Sequence, residues 1–331
     1  RFCGSKKVKK VINLGKMPLA GGFLRSKNDF KNEKKYPLKL NFCKNCYLLQ
    51  TSISINPDTL FKKYFYFSSS IKTLVEHFEN IAKKLSKRLS KSAFVVEIGS
   101  NDGVFIKVLK KNGYKALGID PAGNVVNPLI KKGYPIINAY FSQDLAKKII
   151  RKYGQADAIY SFHTLAHIPD MHDIIKGIKT LLRKDGYLSF EVHYLGNLIK
   201  EMQYDMIYHE HLHYYSLITL SKFFESYGME IFDVEKVNQR AGSMNYLVQN
   251  KLTGKQKVSK KILETLREEK RIGLDKEKTY KDFNRKIAKT KKDLQNTFVK
   301  LRKEDLEVAG YGASGRGTVI ANYCRLNTKT L

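Results

Sequence analysis

Between residues 76 and 250, short β-branched runs recur between stretches of helical periodicity, and the most constraining unit is FVVEIGSNDGVFIKVL at 94–109. The runs FVVEIGS, KALGID, DAIYSFH, YLSFEVHYL and NYLVQ are each long enough for one strand. Strands separated by helices join as a parallel sheet, so the alternation predicts an α/β fold whose sheet is parallel for most of its width. In the unit at 94–109 a β run ends at Glu97, Gly99 and Gly103 bracket a tight turn, and an apolar helix pattern follows. Glycines in such a turn let the backbone approach a ligand and leave helix N-terminal amides open to it.

The turn is not of the dinucleotide type, which needs a glycine two residues after Gly99, where Asn101 stands. Its Glu-x-Gly-x-x-x-Gly spacing resembles the first motif of class I S-adenosylmethionine (SAM)-dependent methyltransferases. A second strand ends in Asp120, 17 residues past Gly103, where an acid can accept both ribose hydroxyls. Glu97, Gly99, Asn101, Gly103 and Asp120 are therefore the candidate cofactor residues. The plainer alternative is that the acids cap strand ends and the glycines only turn the chain.

Cys43-Lys-Asn-Cys46 has the spacing of a zinc knuckle, and Cys3 resembles the last cysteine of a second knuckle whose partner would precede Arg1. Four cysteines in all are too few and too unevenly placed for a disulfide framework. A zinc ion on Cys3, Cys43 and Cys46 would be structural, holding a small domain together.

YHEHLHYYS at 208–216 sets three histidines at alternate positions beside a glutamate and three tyrosines. As an extended strand it would send Glu210 and His211 to opposite faces, and residues 208 and 211 share a face only in a helical turn or loop. His209, His211 and His213 on one strand face could instead ligate a metal or pack as satisfied core histidines.

Stretches along nearly the whole chain resemble the sugar C-methyltransferase family, which methylates C3 of a nucleotide-linked deoxy-4-ketohexose. They are CGSKKVKKVINLGKMPLAGGFL, YPLKLNFCKNCYLLQ, YFYFSSSIKTLVEHF, EIGSNDGVFIKVL, LGIDPAGNVV, LAHIPDMHD, DMIYHEHLHYYS and GYGASGRGT, in that order. The resemblance implies an N-terminal zinc domain, a central class I SAM domain with a Rossmann-like sheet, and a C-terminal Rossmann-like domain that helps hold the nucleotide. It makes Tyr208, Glu210 and His211 active-site residues, with His167 and a tyrosine of YFYFSS nearby. In that chemistry His211 is the base at C3, Tyr208 and Glu210 orient it or the sugar, and His167 or Tyr66 stabilises the enolate, with Tyr64 the rival for the role of Tyr66. Gly312, Ser314 and Arg316 would face the diphosphate. Taken alone, Gly310-Tyr-Gly312-Ala-Ser-Gly315 after a β run would suggest a nicotinamide cofactor, and a diphosphate cradle serves both readings.

The expected organisation is a zinc-binding, substrate-lid domain at 1–75, the methyltransferase domain at 76–250, a charged helical region at 251–304 and a truncated nucleotide-binding domain at 305–331. A net charge of +30 invites a nucleic-acid partner, but the lysines are dispersed and alternate with acids across 251–304, as on a solvated helix face. With no long apolar run and no apolar leader, the chain reads as cytoplasmic with a nucleotide-sugar substrate. The alternatives are a nucleic-acid methyltransferase, which lacks an Asn-Pro-Pro-aromatic stretch to hold a flipped base, and a noncatalytic nucleotide-sugar binding protein.

Overall fold

The computed structural model describes residues 1–238, 242–312, 314–327 and 330. Its strands are β1 (Val8–Met17), β2 (Tyr36–Cys43), β3 (Leu49–Thr51), β4 (Phe94–Ile98), β5 (Lys115–Ile119), β6 (Ile136–Ile137), β7 (Ala156–Phe162), β8 (Leu182–His193), β9 (His213–Tyr214), β10 (Met229–Val237) and β11 (Ser243–Asn250). The helices are α1 (Pro57–Phe61), α2 (Lys72–Leu85), α3 (Val104–Lys111), α4 (Gly123–Lys131), α5 (Gln143–Tyr153), α6 (Met171–Leu181), α7 (Leu195–Lys200), α8 (Leu217–Glu225), α9 (Lys260–Ile272), α10 (Glu277–Lys303) and α11 (Gly315–Cys324).

The larger sheet has seven strands in the order β10-β11-β8-β7-β4-β5-β6. The pairs β4/β5, β4/β7, β5/β6 and β7/β8 are parallel, and β11 and β10 close one edge antiparallel. The parallel part is what the alternation of strands and helices predicts, and the whole matches the class I methyltransferase sheet that the resemblance implies. Every residue of FVVEI in β4 is buried, as a strand covered on both faces requires. Successive side chains alternate in direction: Val95 joins the core under α2 and α3, whereas Val96 and Ile98 join the core under α5, α6 and α8.

The second sheet, β1-β2-β3-β9, is antiparallel and is assembled from two distant parts of the sequence. Its last strand comes from the histidine-rich stretch, through Leu49 opposite Tyr214 and Gln50 opposite His213. The charged helix α10 covers this sheet with the stripe Tyr280, Phe283 and Ile287, all buried in one cluster with Val11, Leu38 and Tyr214. Spacing of three and four residues is what places that stripe on one face.

Helix α9 packs on the large domain through Ile262 and Leu266, and one polar side chain also enters it. Glu269 is fully buried and accepts from the first amides of α8, Leu217 N at 2.7 Å and Ile218 N at 2.8 Å. These amides have no partner inside their own helix, so a remote carboxylate completes them. Burial outweighs those bonds and pushes the carboxyl up to about 7.

The β run expected before the C-terminal glycine loop is not a strand: residues 306–312 pair with no sheet. Asp305 turns left-handed, with φ 53°, and the Leu306 amide donates to Leu301 O at 3.0 Å, capping α10. The start of the run thus closes a helix, and the described residues around it offer no strand edge. Among the described residues no helix is long and apolar enough to cross a membrane.

The Glu269 carboxyl is held near 7 when folded and ionises at about 4.5 when unfolded, so the folded state binds its proton more tightly. Its contribution to stability is full below pH 4.5 and is lost as pH rises through 7. Urea unfolding at pH 5 and pH 8 should show the wild type losing roughly 2 kcal/mol more over that interval than Glu269→Gln.

Candidate active site

The turn after β4 is shaped by what lies above it. Gly99 has φ +81°, and a Cβ there would stand 2.0 Å from Thr164 Oγ1, so no other residue fits. Asn101, also left-handed with φ 46°, clamps the YFYFSS segment: its Oδ1 accepts from Ser68 N at 2.9 Å and its Nδ2 donates to Tyr66 O at 3.0 Å. That clamp is the reason an asparagine, and not a glycine, occupies the position. Asp120, one residue past β5, accepts from Asn101 N and Ala122 N, each at 2.9 Å. Burial raises its carboxyl, and these two bonds partly oppose the rise. Glu97 lies behind the turn, its Oε2 buried without a hydrogen bond and its carboxyl pushed well above the usual range by burial and by Asp120 and Asp102. Gly103, with φ +67°, starts α3 against Leu129.

Gly99, Asn101, Asp120, Tyr64, Tyr66 and His167 all border one cavity of about 410 Å³, whereas Glu97 and Gly103 support its floor from behind. An elongated ligand with a diol at Asp120 and a cation near the aromatic wall of Phe61, Tyr64 and Tyr66 matches this lining, which is the chemistry of SAM.

Residues 208–211 form a tight turn closed by His211 N to Tyr208 O at 3.1 Å, and the two rings lie in tilted contact with centroids 3.9 Å apart. Tyr208 and His211 thus share a face, as the geometry of the stretch requires of any common site. His211 Nδ1 lies 2.8 Å from Met206 O, and since a carbonyl only accepts, Nδ1 carries the proton and Nε2 is the ring's basic nitrogen. Leu212 N donates to Ala166 O at 2.8 Å, which seats the turn against the cavity so that His167 and His211 are 5.2 Å apart. Glu210 is pushed up to about 7 by burial alone. A Cβ on Gly21 would meet its Oε1 at 3.0 Å, so this glycine packs directly on the carboxyl. His209 approaches Tyr36 O at 3.3 Å, and His213 is buried beside Phe2 and Tyr215, so both pack in the core.

Three polar residues escaped the sequence reading, His77, Glu191 and His193, and they gather around His163, which stands where the family usually has asparagine before LAH. Glu191 on β8 is 1% exposed, with Oε1 3.0 Å from His163 Nε2 and Oε2 2.7 Å from His77 Nε2. The signal was present in YLSFEVHYL, where an acid and a histidine stand two apart in an otherwise apolar strand.

At the other end, Arg316 grips Asp205 with Nε at 2.8 Å and Nη2 at 2.7 Å, tying α11 to the segment that ends in the 208–211 turn. Ser314 caps α11 by accepting from Gly317 N, and Gly312 has φ +89°. Ala313 of the same loop, and Arg240 and Ala241, lie outside the described residues.

Cys3, Cys43 and Cys46 bring their sulfurs within 4.8 Å of one another, with Cys3 and Cys43 3.6 Å apart. A tetrahedral zinc with bonds of about 2.3 Å sets sulfurs about 3.8 Å apart, so the three fit the ion. Burial pushes the Cys46 thiol up to about 12, and a bound cation reverses that penalty.

Family models match the chain in three consecutive blocks: "Putative zinc binding domain" over 1–61, "Methyltransferase domain" over 74–234 and "C-methyltransferase C-terminal domain" over 238–331. C-methyltransferase NovU of Streptomyces niveus is 31% identical over 328 residues, covering 98% of this chain and 78% of that protein. Among solved structures, magnesium protoporphyrin IX methyltransferase from Synechocystis PCC 6803 with bound SAM aligns at a TM-score of 0.39 and 14% identity, over 53% of this chain and 78% of that one. A SAM-dependent methyltransferase from Clostridium acetobutylicum aligns at 0.41 and 14%, over 55% and 93%. Likeness at that level carries no weight for function.

Cys43→Ser should release the zinc, measured by elemental analysis of the purified protein. It should also lower Tm by on the order of 10 °C, because β2 and the knuckle carry the sheet on which β9 is laid.

Proposed function

This chain belongs to the family of SAM-dependent C-methyltransferases, and we propose that it methylates C3 of a nucleotide-diphosphate-linked 4-keto-deoxyhexose, with His211 as the base. The observation that carries the proposal is the turn at 208–211, which sets a histidine of fixed tautomer beside the cofactor cavity. A ketone at C4 makes the C3 proton acidic enough for an imidazole to remove near neutral pH. Met206 O retains the Nδ1 proton, so Nε2 receives the one from carbon.

The electron pair left at C3 delocalises onto the C4 oxygen, which then needs donors. Tyr66 and His167 on the cavity wall supply them, with Tyr64 behind, and Glu210 adds an O–H while it is protonated. Tyr208, in tilted ring contact with His211, holds the base in place. When bound, SAM supplies an electrophilic methyl group. Asp120 holds the ribose hydroxyls, and Phe61, Tyr64 and Tyr66 exclude water, so that C3 and its acceptor are kept in near-contact alignment. Gly312, Ser314 and Arg316 would meet the diphosphate at the N-terminus of α11, with Asp205 orienting the guanidinium.

Deuterium wash-in at C3 of a nucleoside-diphospho-4-keto-deoxysugar tests the base directly. His211→Gln should lose exchange by a factor of roughly 100 or more while SAM affinity is unchanged. Exchange at the wild-type rate in that variant would remove His211 from the role.

Glu210 donates only while protonated, and burial delays its ionisation to about pH 7. Activity should therefore fall as pH rises through about 7. Glu210→Gln, a neutral isostere, should flatten that limb of the kcat/KM profile.

A further inference from the structure

Removing the C3 proton creates a problem that His211 alone does not solve. The protonated base stays in contact with the carbon it has just ionised, and return of the proton competes with methylation. The polar residues missed in the sequence lie where that competition can be decided. His211 touches His193, with ring centroids 4.8 Å apart, and His193 touches His163 at 4.7 Å. His163 borders the cofactor cavity, and its Nε2 lies 3.0 Å from Glu191 Oε1. The same two residues are also joined through the backbone, His163 N to Glu191 O at 2.7 Å, and this holds His163 in a left-handed conformation with φ 55°. A non-glycine residue rarely adopts that conformation unless its surroundings impose it. His77 secures the other carboxylate oxygen from α2, at the wall of an open cleft of about 920 Å³.

A carboxylate sealed in the protein can hold an imidazolium that hydrogen-bonds to it, because the charge-assisted bond is strong away from water. Burial alone would raise Glu191, yet the bonds and charges of His163 and His77 bring it down to about 2. The groups facing it from each neighbouring element are His77 on α2, His163 after β7 and Asn245 on β11. Glu235, Glu264 and Glu268 line the same open cleft as His77.

We propose that the proton taken from the substrate does not remain on His211 but passes through His193 to His163, where the Glu191 carboxylate holds the imidazolium until the site reopens. The inference rests on the substrate reading above. The proton balance is complete within the named groups. The C3–H bond breaks, its electron pair becomes the enolate, and an N–H bond forms at His211 Nε2. His211 gives that proton to one nitrogen of His193, which releases one from its other nitrogen to His163 Nδ1, each hop following a ring rotation that brings the two nitrogens within hydrogen-bond distance. The His163 Nε2–H remains bonded to Glu191, and His211 returns to the neutral form with its proton against Met206. His163 and Glu191 are thus positioning residues that act through His211 and commit the enolate to methylation.

Isotope effects read that commitment. In the wild type, with C3-deuterated sugar nucleotide and SAM bearing a 13C methyl group, kcat/KM should show a large C3-deuterium effect and a methyl-carbon effect near unity. Glu191→Gln and His163→Gln should let the proton return: the deuterium effect falls toward unity and the methyl-carbon effect appears. His193→Phe should do the same while leaving the His163–Glu191 pair intact, which covers the case where Glu191→Gln fails to fold. SAM affinity within about twofold of wild type in each variant excludes a collapsed cavity. Isotope effects identical in wild type and variants, or a wild-type deuterium effect already near unity, would overturn the proton store. A wild type that neither exchanges nor methylates the sugar overturns the substrate reading instead, and the store falls with it.

Discussion

The active site depends on a two-residue strand. β9 is the point at which the zinc-bearing sheet is sewn to the methyltransferase sheet, and the seam is made of backbone hydrogen bonds. Thr51 N donates to Leu212 O at 3.0 Å, Leu212 N to Ala166 O at 2.8 Å, and Leu195 N to Tyr215 O at 3.0 Å. The seam is buried, and the Tyr215 hydroxyl reinforces it by donating to Leu165 O at 2.9 Å. Because side chains on a strand reverse with each residue, a slip of one position would turn the whole stretch over and carry His211 away from His167. A zinc ion on Cys3, Cys43 and Cys46 would brace the end of β2 and the turn into β3, the strand against which β9 takes its register.

The chain is strongly basic, yet the groups that define its chemistry are acids removed from water. Glu191, Glu210, Glu269 and Asp120 are buried or nearly so, and each is handled differently. Glu191 has two imidazoles and is kept ionised; Glu210 has burial alone and is kept protonated to about pH 7. Asp120 has two amides and Glu269 two more, which only partly offset burial. One side-chain chemistry thus yields an anion held by two imidazoles, an acid kept protonated by burial, a carboxyl bonded to the turn amides and a helix cap. The surface lysines, paired mostly with exposed acids, have little part in this.

How much of this could be read in the sequence follows from the range of each interaction. The strand-turn-helix unit at 94–109 and the cysteine pair at 43 and 46 are local, so spacing alone announces them. The turn at 208–211 was legible as a constraint, since Tyr208 and His211 cannot share a site on a strand. The clamp from Asn101 to Tyr66 and Ser68, and the bridge from Glu191 to His77, join residues 33 to 114 positions apart. Nothing in one strand's pattern names its partner across the sheet. The β run at 306–309 failed for a related reason: propensity describes what a segment tolerates, and a strand exists only where an edge is offered to it.

Two contacts join the reacting end of the substrate site to its nucleotide end. Gly21 lies on the Glu210 carboxyl, and the neighbouring Ala20 carbonyl lies 3.2 Å from where a Cβ on Gly315, the first residue of α11, would be. Arg316, the next residue, holds Asp205, three positions before Tyr208. A diphosphate drawn to the start of α11 would therefore pull on both supports of the 208–211 turn: the loop that covers Glu210 and the ion pair that anchors the segment. Binding at one end could then tighten the geometry at the other without any new contact to the base. Glycines at 21 and 315 fit this packing, since a Cβ at either would stand only 3.0 Å from Glu210 Oε1 or 3.2 Å from Ala20 O.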